Sequence, residues 1–178
     1  IISSNSEDAI NLIDSKSIVN NLEILDSFAD GIDVDFGSLS FNNIICKNIA
    51  NDCFDISSAI INGKNLKGNV IKDKGLSFGE NSVGNINNID FQNSRLGIAV
   101  KDGSNLTIEG YTLKDNEYDI AVFNKKNEYE GAKLELTNSN KKNKHNLNYL
   151  LGNQNTFLKD NIFLDNKINN EIINKIFY

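Results

Sequence analysis

Apolar residues recur every 22 positions through most of this chain, in two columns set two residues apart. One column is Ile10, Ile32, Phe54, Leu76, Ile98 and Ile120; the other is Leu12, Val34, Ile56, Phe78, Val100 and Val122. In a chain that is 39% hydrophobic, so complete a match has a chance probability on the order of 10⁻⁵ for a given period and phase. Alternation within each pair is strand periodicity. The fixed return means that similar turns of chain are stacked on one another.

A second apolar element follows in each unit, as Leu22, Ile44, Leu66, Ile89 and Tyr111. Two residues later come Ile24, Cys46, Phe91 and Leu113, with Gly68 interrupting the column. Polar and glycine-containing corners such as Phe36-Gly37-Ser38 and Lys101-Asp102-Gly103-Ser104 separate the strands. Asp26, Asn48, Asn93 and Asp115 recur after the second element, where Asn and Asp tolerate left-handed backbone. Such a unit is too short for a strand plus a crossover helix, so successive units coil and pair as parallel ladders about 4.8 Å apart. Parallel connections default to right-handed winding. The sequence therefore predicts an all-β, right-handed parallel β-helix of about six coils, roughly 29 Å long at that rise.

The ends depart from this register. Only a partial coil precedes Ile10, without an amphipathic capping helix, so an open N-terminal edge that drives self-association is expected. After Gly131 the register weakens, giving a division into a β-helix over 1–140 and, over 141–178, a polar loop, closing strands and a cap. Tyr149–Leu151 and Phe157–Leu164 are the candidate closing strands. Ile168, Ile172, Ile173, Ile176 and Phe177 follow helical spacing and predict a short helix covering the open end.

Composition narrows the function classes. The 18 Lys and Arg against 24 Asp and Glu leave a net charge of −6, and the one basic tract, Lys141–Lys144, is short. Nucleic acid is therefore not an expected partner. No apolar run is long enough to span a membrane. The chain lacks Met altogether, so residue 1 is not a translation start. It is read as a processed chain or a piece of a longer one. Cys46 and Cys53 occupy tight, inward columns and are read as buried, unpaired thiols; a two-Cys metal site with no nearby His is not expected.

The segments Asp30-Gly-Ile-Asp-Val-Asp35, Asn51-Asp-Cys-Phe-Asp-Ile-Ser57, Asp73-Lys-Gly-Leu-Ser-Phe-Gly-Glu80 and Leu96-Gly-Ile-Ala-Val-Lys-Asp102 resemble right-handed parallel β-helix repeats of the pectate-lyase-like fold. More narrowly, they are similar to β-helix regions of bacterial secreted or surface proteins, some of which carry CotH-like kinase domains. The resemblance covers about residues 8–130 and implies an extracytoplasmic location and further domains upstream in the same polypeptide. It fixes fold rather than activity, since this fold hosts lyases, hydrolases, epimerases, adhesins and inert scaffolds. No nucleotide-binding motif is present in the chain.

Candidate chemistry lies on the outward side of the first strands. The column after the first anchor reads Asn11, Asp33, Asp55, Ser77, Ala99 and Ala121; two residues on stand Ile13, Asp35, Ser57, Gly79, Lys101 and Phe123. Asp33 and Asp55 thus fall on adjacent rungs with Asp35 beside them. Carboxylates about 4.8 Å apart repel by roughly 3.5 kcal/mol at an effective dielectric of 20, which a cation or a proton relieves. Asp33, Asp35 and Asp55 form a candidate weak Ca²⁺ site, since oxygen ligands suit that ion. With Lys74, Glu80, Lys101 and Asp102 they outline a candidate polysaccharide-binding face, floored by Ser77, Ala99 and Ala121; the competing reading is a solvated acidic sheet face. Arg95, the single Arg, falls at a corner with a structural role, and the lone His145 sits in an irregular tract. Two functions stay open. One is a scaffold or carbohydrate-contact module without catalysis. The other is a polysaccharide-active lyase, epimerase or glycoside hydrolase, with the three aspartates as metal holders or acid and base and Lys101 or Lys74 as cationic partner.

Overall fold

The computed structural model describes residues 1–3, 6–139 and 146–178; the Lys141–Lys144 tract and His145 lie outside them. The described chain runs through β1 (Ile2–Ser3), β2 (Ile10–Ile13), β3 (Lys16–Leu25), β4 (Ile32–Asp35), β5 (Ser38–Ile49), β6 (Phe54–Ser57), β7 (Ile60–Gly79) and β8 (Val83–Lys101). It continues through β9 (Asn105–Lys114), β10 (Tyr118–Phe123), β11 (Lys133–Ser139), β12 (Tyr149–Gly152), β13 (Thr156–Lys159), β14 (Ile162–Leu164), β15 (Lys167–Ile168) and the helix α1 (Asn170–Phe177). These strands coil into a parallel β-solenoid of about seven turns. The anchor columns pair rung on rung: Ile10 with Ile32, Ile32 with Phe54, Phe54 with Leu76, Leu76 with Ile98 and Ile98 with Ile120.

Each full coil has three faces; its first and third corners turn at left-handed backbone, and from the third coil on the second corner does too. The first corner is Asp14, Phe36, Ser58, Glu80 and Asp102, with φ between 44° and 58°. The second carries Asn65, Asn88 and Gly110; the third carries Asp26, Asn48, Val70, Asn93 and Asp115. At the second corner the inward alternation skips a residue, so that Leu39 and Phe41 point inward on one face and Ile44 and Cys46 on the next. Asn side chains stack up the outside of that corner, Asn43 donating to Asn21 and Asn65 to Asn43, each at 2.8 Å.

Gly68 interrupts its apolar column for a packing reason. It pairs with Phe91, and a Cβ placed on it would lie 2.7 Å from that ring; one on Gly75 would lie 2.5 Å away. The missing side chains make room for one large ring.

The seventh turn was hidden from the 22-residue register by an insertion. Leu134 pairs with Leu106, 28 residues earlier, and Tyr149 with Ile120, 29 earlier. The extra chain forms the corner loop over 124–131, which Asn124 holds by donating to the carbonyls of Tyr129 and Glu130 at 3.0 and 2.8 Å. β14 then runs antiparallel to β13 and closes that sheet.

Two expectations are corrected. Cys46 and Cys53 form a disulfide, their Cα atoms 5.8 Å apart, rather than two free thiols. The third corner folds β5 back so that two inward positions of one coil meet. The helix α1 covers the side of the solenoid, not its end. Ile173 and Phe177 are buried against Leu96, Ala99, Ala121 and Phe123, which all point outward.

At the N-terminal end β1 pairs with β3 and β2 with β4, and their opposite edges have no strand partner among the described residues. Ile10, Leu12, Val19 and Leu22 are only half-buried there. Light scattering of the isolated chain is expected to show concentration-dependent association through this edge; a monomer at all concentrations would contradict it.

Candidate acidic face and its lysine wall

Three outward columns cross the face built from β2, β4, β6, the last parts of β7 and β8, β10 and β12. Asp33 pairs with Asp55 and Asp55 with Ser77, so the expected stack of side chains on one face is present. Asp35 pairs with Ser57 beside them. A further column, two residues before the anchors, went unread in the sequence: Asp8, Asp30, Asp52, Lys74, Leu96 and Tyr118. Its aspartates form a ladder. Asp8 accepts from the Asp30 amide at 3.0 Å, Asp30 from the Asp52 amide at 2.8 Å, and Asp52 from the Lys74 amide at 2.9 Å.

This crowding perturbs the carboxyls. Burial pushes Asp30 up to about 6, against its bond from the Asp52 amide and with help from Asp55 and Asp8. Asp33 is likewise raised to about 6, by burial and then by Asp35, Asp55 and Asp8. Asp35 is raised by burial, Asp55 and Glu80. Asp52 is raised by burial, which the Lys74 ammonium opposes.

The folded chain holds protons on Asp30 and Asp33 that the unfolded chain releases near 3.8, so these groups favour folding most at low pH. That contribution is lost as pH rises through about 6. The melting temperature is expected to rise on going from about pH 7.5 to about pH 5. Asp30→Asn keeps the acceptor for the Asp52 amide and should flatten that slope. An unchanged slope would show that Asp30 does not titrate in this window.

The predicted cations are present but engaged. Lys74 is 2% exposed and pairs with Asp52 at 3.4 Å and with Asp73. Burial opposes its charge, but Asp52, Tyr178 and Asp73 outweigh burial and hold the ammonium above its ordinary value. Lys101 is 8% exposed; its Nζ donates to the Tyr178 hydroxyl at 3.1 Å, and its stem lies over Gly79. The Tyr178 ring receives three ammonium groups, from Lys125 at 3.7 Å, Lys74 at 5.0 Å and Lys101 at 5.7 Å.

The remaining predicted residues do different work. Glu80 pairs with Lys126 at 2.6 Å. Asp102 is buried and accepts from the Lys125 and Lys126 amides at 2.7 and 2.8 Å, which holds the inserted loop. Arg95 pairs with Asp73 at 3.5 Å, donates to the Ile176 carbonyl and lies over Phe177, so it pins the helix, in line with a structural role. The expected small-residue floor is not open: Ala99 and Ala121 lie fully covered beneath α1, and Ser77 is buried. The face thus divides into an acidic half over the first coils and an apolar half under the helix, with the lysines at the boundary.

Among the described residues, no group of three or more His, Cys, Asp or Glu side chains is placed to hold a metal ion. The aspartates form a strip, not a coordination shell. Comparison with protein-family models, curated proteins and solved structures finds no match. Among the described residues no helix is long and apolar enough to cross a membrane.

Sequence reasoning missed Tyr178 and Asp73, whose roles depend on where the helix lands. It also missed Asp30 and Asp52, although their 22-residue recurrence with Asp8 is legible in the chain.

Proposed function

We propose that this chain is a non-catalytic β-helix module of a larger extracytoplasmic protein, of the pectate-lyase-like kind, serving as a scaffold and offering the acidic half-face as a carbohydrate-contact surface. One observation carries the reading. Lys74 and Lys101, the cations an acid–base or lyase mechanism would need, are both committed to the protein's own Asp52, Asp73 and Tyr178. The disulfide supports an oxidising compartment. A strip of aspartates on a chain of net charge −6 repels polyuronates, so neutral or amino-bearing glycans are the better ligands.

A polysaccharide-active enzyme is the second reading, favoured by the Asp33 carboxyl at about 6, a range suited to a general acid. Incubation with neutral, amino-bearing and uronic polysaccharides separates the two. The module is expected to be retarded in gels containing the first two, with no new reducing ends and no unsaturated products. Product release that Asp33→Asn or Asp55→Asn abolishes would establish the enzyme instead.

A further inference from the structure

The third corner, outside the acidic half-face, breaks its own rule at one coil. Asp26, Asn48, Asn93 and Asp115 hold its left-handed position in other coils, but in the third coil that residue is Val70, at φ 60°. A β-branched side chain is a conformational outlier in this region, and such outliers persist where surrounding structure or function holds them. Val70 is 45% exposed, and Phe28, two coils earlier, is 72% exposed. Between them lies a cavity of about 280 Å³, lined by Asp26, Phe28, Asn48, Ala50, Val70 and Lys72 among others.

The lining is two-sided. Phe28, Val70 and Ala50 present apolar surface, while Asn48, bonded to Asp26 at 2.9 Å, and the exposed Lys72 present donors and acceptors. A pyranose ring has the same division, with C–H groups on its faces and hydroxyls around its edge. Its C–H face suits a phenyl ring, and its hydroxyls suit an amide, a carboxylate and an ammonium. A purely apolar ligand would cover Lys72 and the Asp26 carboxylate, which among the described residues accepts only from Asn48, and would offer neither a new partner, which is costly. The lining carries one carboxylate and one ammonium, Asp26 and Lys72, so neither a polyanion nor a polycation is favoured.

We propose that this corner pocket binds a single neutral hexopyranose unit, stacked on Phe28 against Val70 and hydrogen-bonded by Asp26, Asn48 and Lys72. The inference extends the carbohydrate-contact reading to a separate site and shares with it only the ligand class.

The test is an NMR titration of the full chain with methyl β-D-glucopyranoside, following the Phe28, Asn48 and Val70 signals beside those of Asp33 and Asp55. Saturable shifts at the corner are expected, with a dissociation constant of about 1–10 mM. Phe28→Ala, a change at an exposed position, should weaken binding at least about tenfold without changing the melting temperature. Val70→Asn should also weaken it, while melting at a higher temperature because Asn accepts the left-handed backbone. No saturable shift at the corner up to roughly 100 mM sugar, or equal binding by parent and Phe28→Ala, overturns the proposal. Shifts confined to Asp33 and Asp55 overturn the corner site while leaving the contact face standing.

Discussion

Replacing Leu76 with alanine is expected to destabilise the protein by about 2–5 kcal/mol, as for other large-to-small core changes. Leu76 is fully buried between its rung partners Phe54 and Ile98, and a stacked solenoid leaves little freedom to close the cavity. Urea unfolding measures the loss; a value below roughly 0.5 kcal/mol, the scale of surface changes, would remove Leu76 from the core. The same core should resist added volume at Gly68. Gly68→Ala sets a methyl group against the Phe91 ring and is expected to cost about 1–3 kcal/mol. Phe91→Leu in the same chain should recover part of that, and a double-mutant cycle reads the coupling. Additive costs would show that the ring and the glycine do not share one space.

The second large effect concerns the disulfide. Cys46→Ala with Cys53→Ala is expected to lower stability by about 2–4 kcal/mol, and chain entropy for an eight-residue loop alone gives about 2.5 kcal/mol. Both sulfurs are buried, so reductant should act slowly on the native protein and quickly once it unfolds. Thermal melts with and without reductant, alongside thiol titration, check this. Identical melts together with two titratable thiols in the oxidised protein would return the pair to free cysteines.

The solenoid was legible because its cause is periodic. Each inward Ile, Leu, Val or Phe sits on its equivalent one coil away, and strand registers copy the 22-residue spacing seen in the sequence. What broke the period was lost. The insertion at 124–131 concealed the seventh turn, and the third corner brought Cys46 to Cys53 across seven residues that the columns treat as separate faces. The site was half legible for the same reason. Asp33 and Asp55 share a column, so their proximity follows from the repeat. The engagement of Lys74 and Lys101 follows from α1, whose amphipathic spacing announces a helix but not the surface it covers. Outward Leu96 and Phe123 were the available clue. They continue columns that are acidic or polar in most earlier coils, and an outward apolar patch needs a cover.

Lys74 and Lys101 are committed to the protein itself and are not available to a bound polysaccharide. Acylation of the intact chain with an amine-reactive ester, read residue by residue by mass spectrometry, tests this most directly. Lys74 and Lys101 should stay unmodified while exposed lysines such as Lys72 react fully, and both should react once the chain is unfolded. Labelling of Lys101 in the folded protein at the rate of Lys72 would contradict it and would restore a free cation beside Asp55.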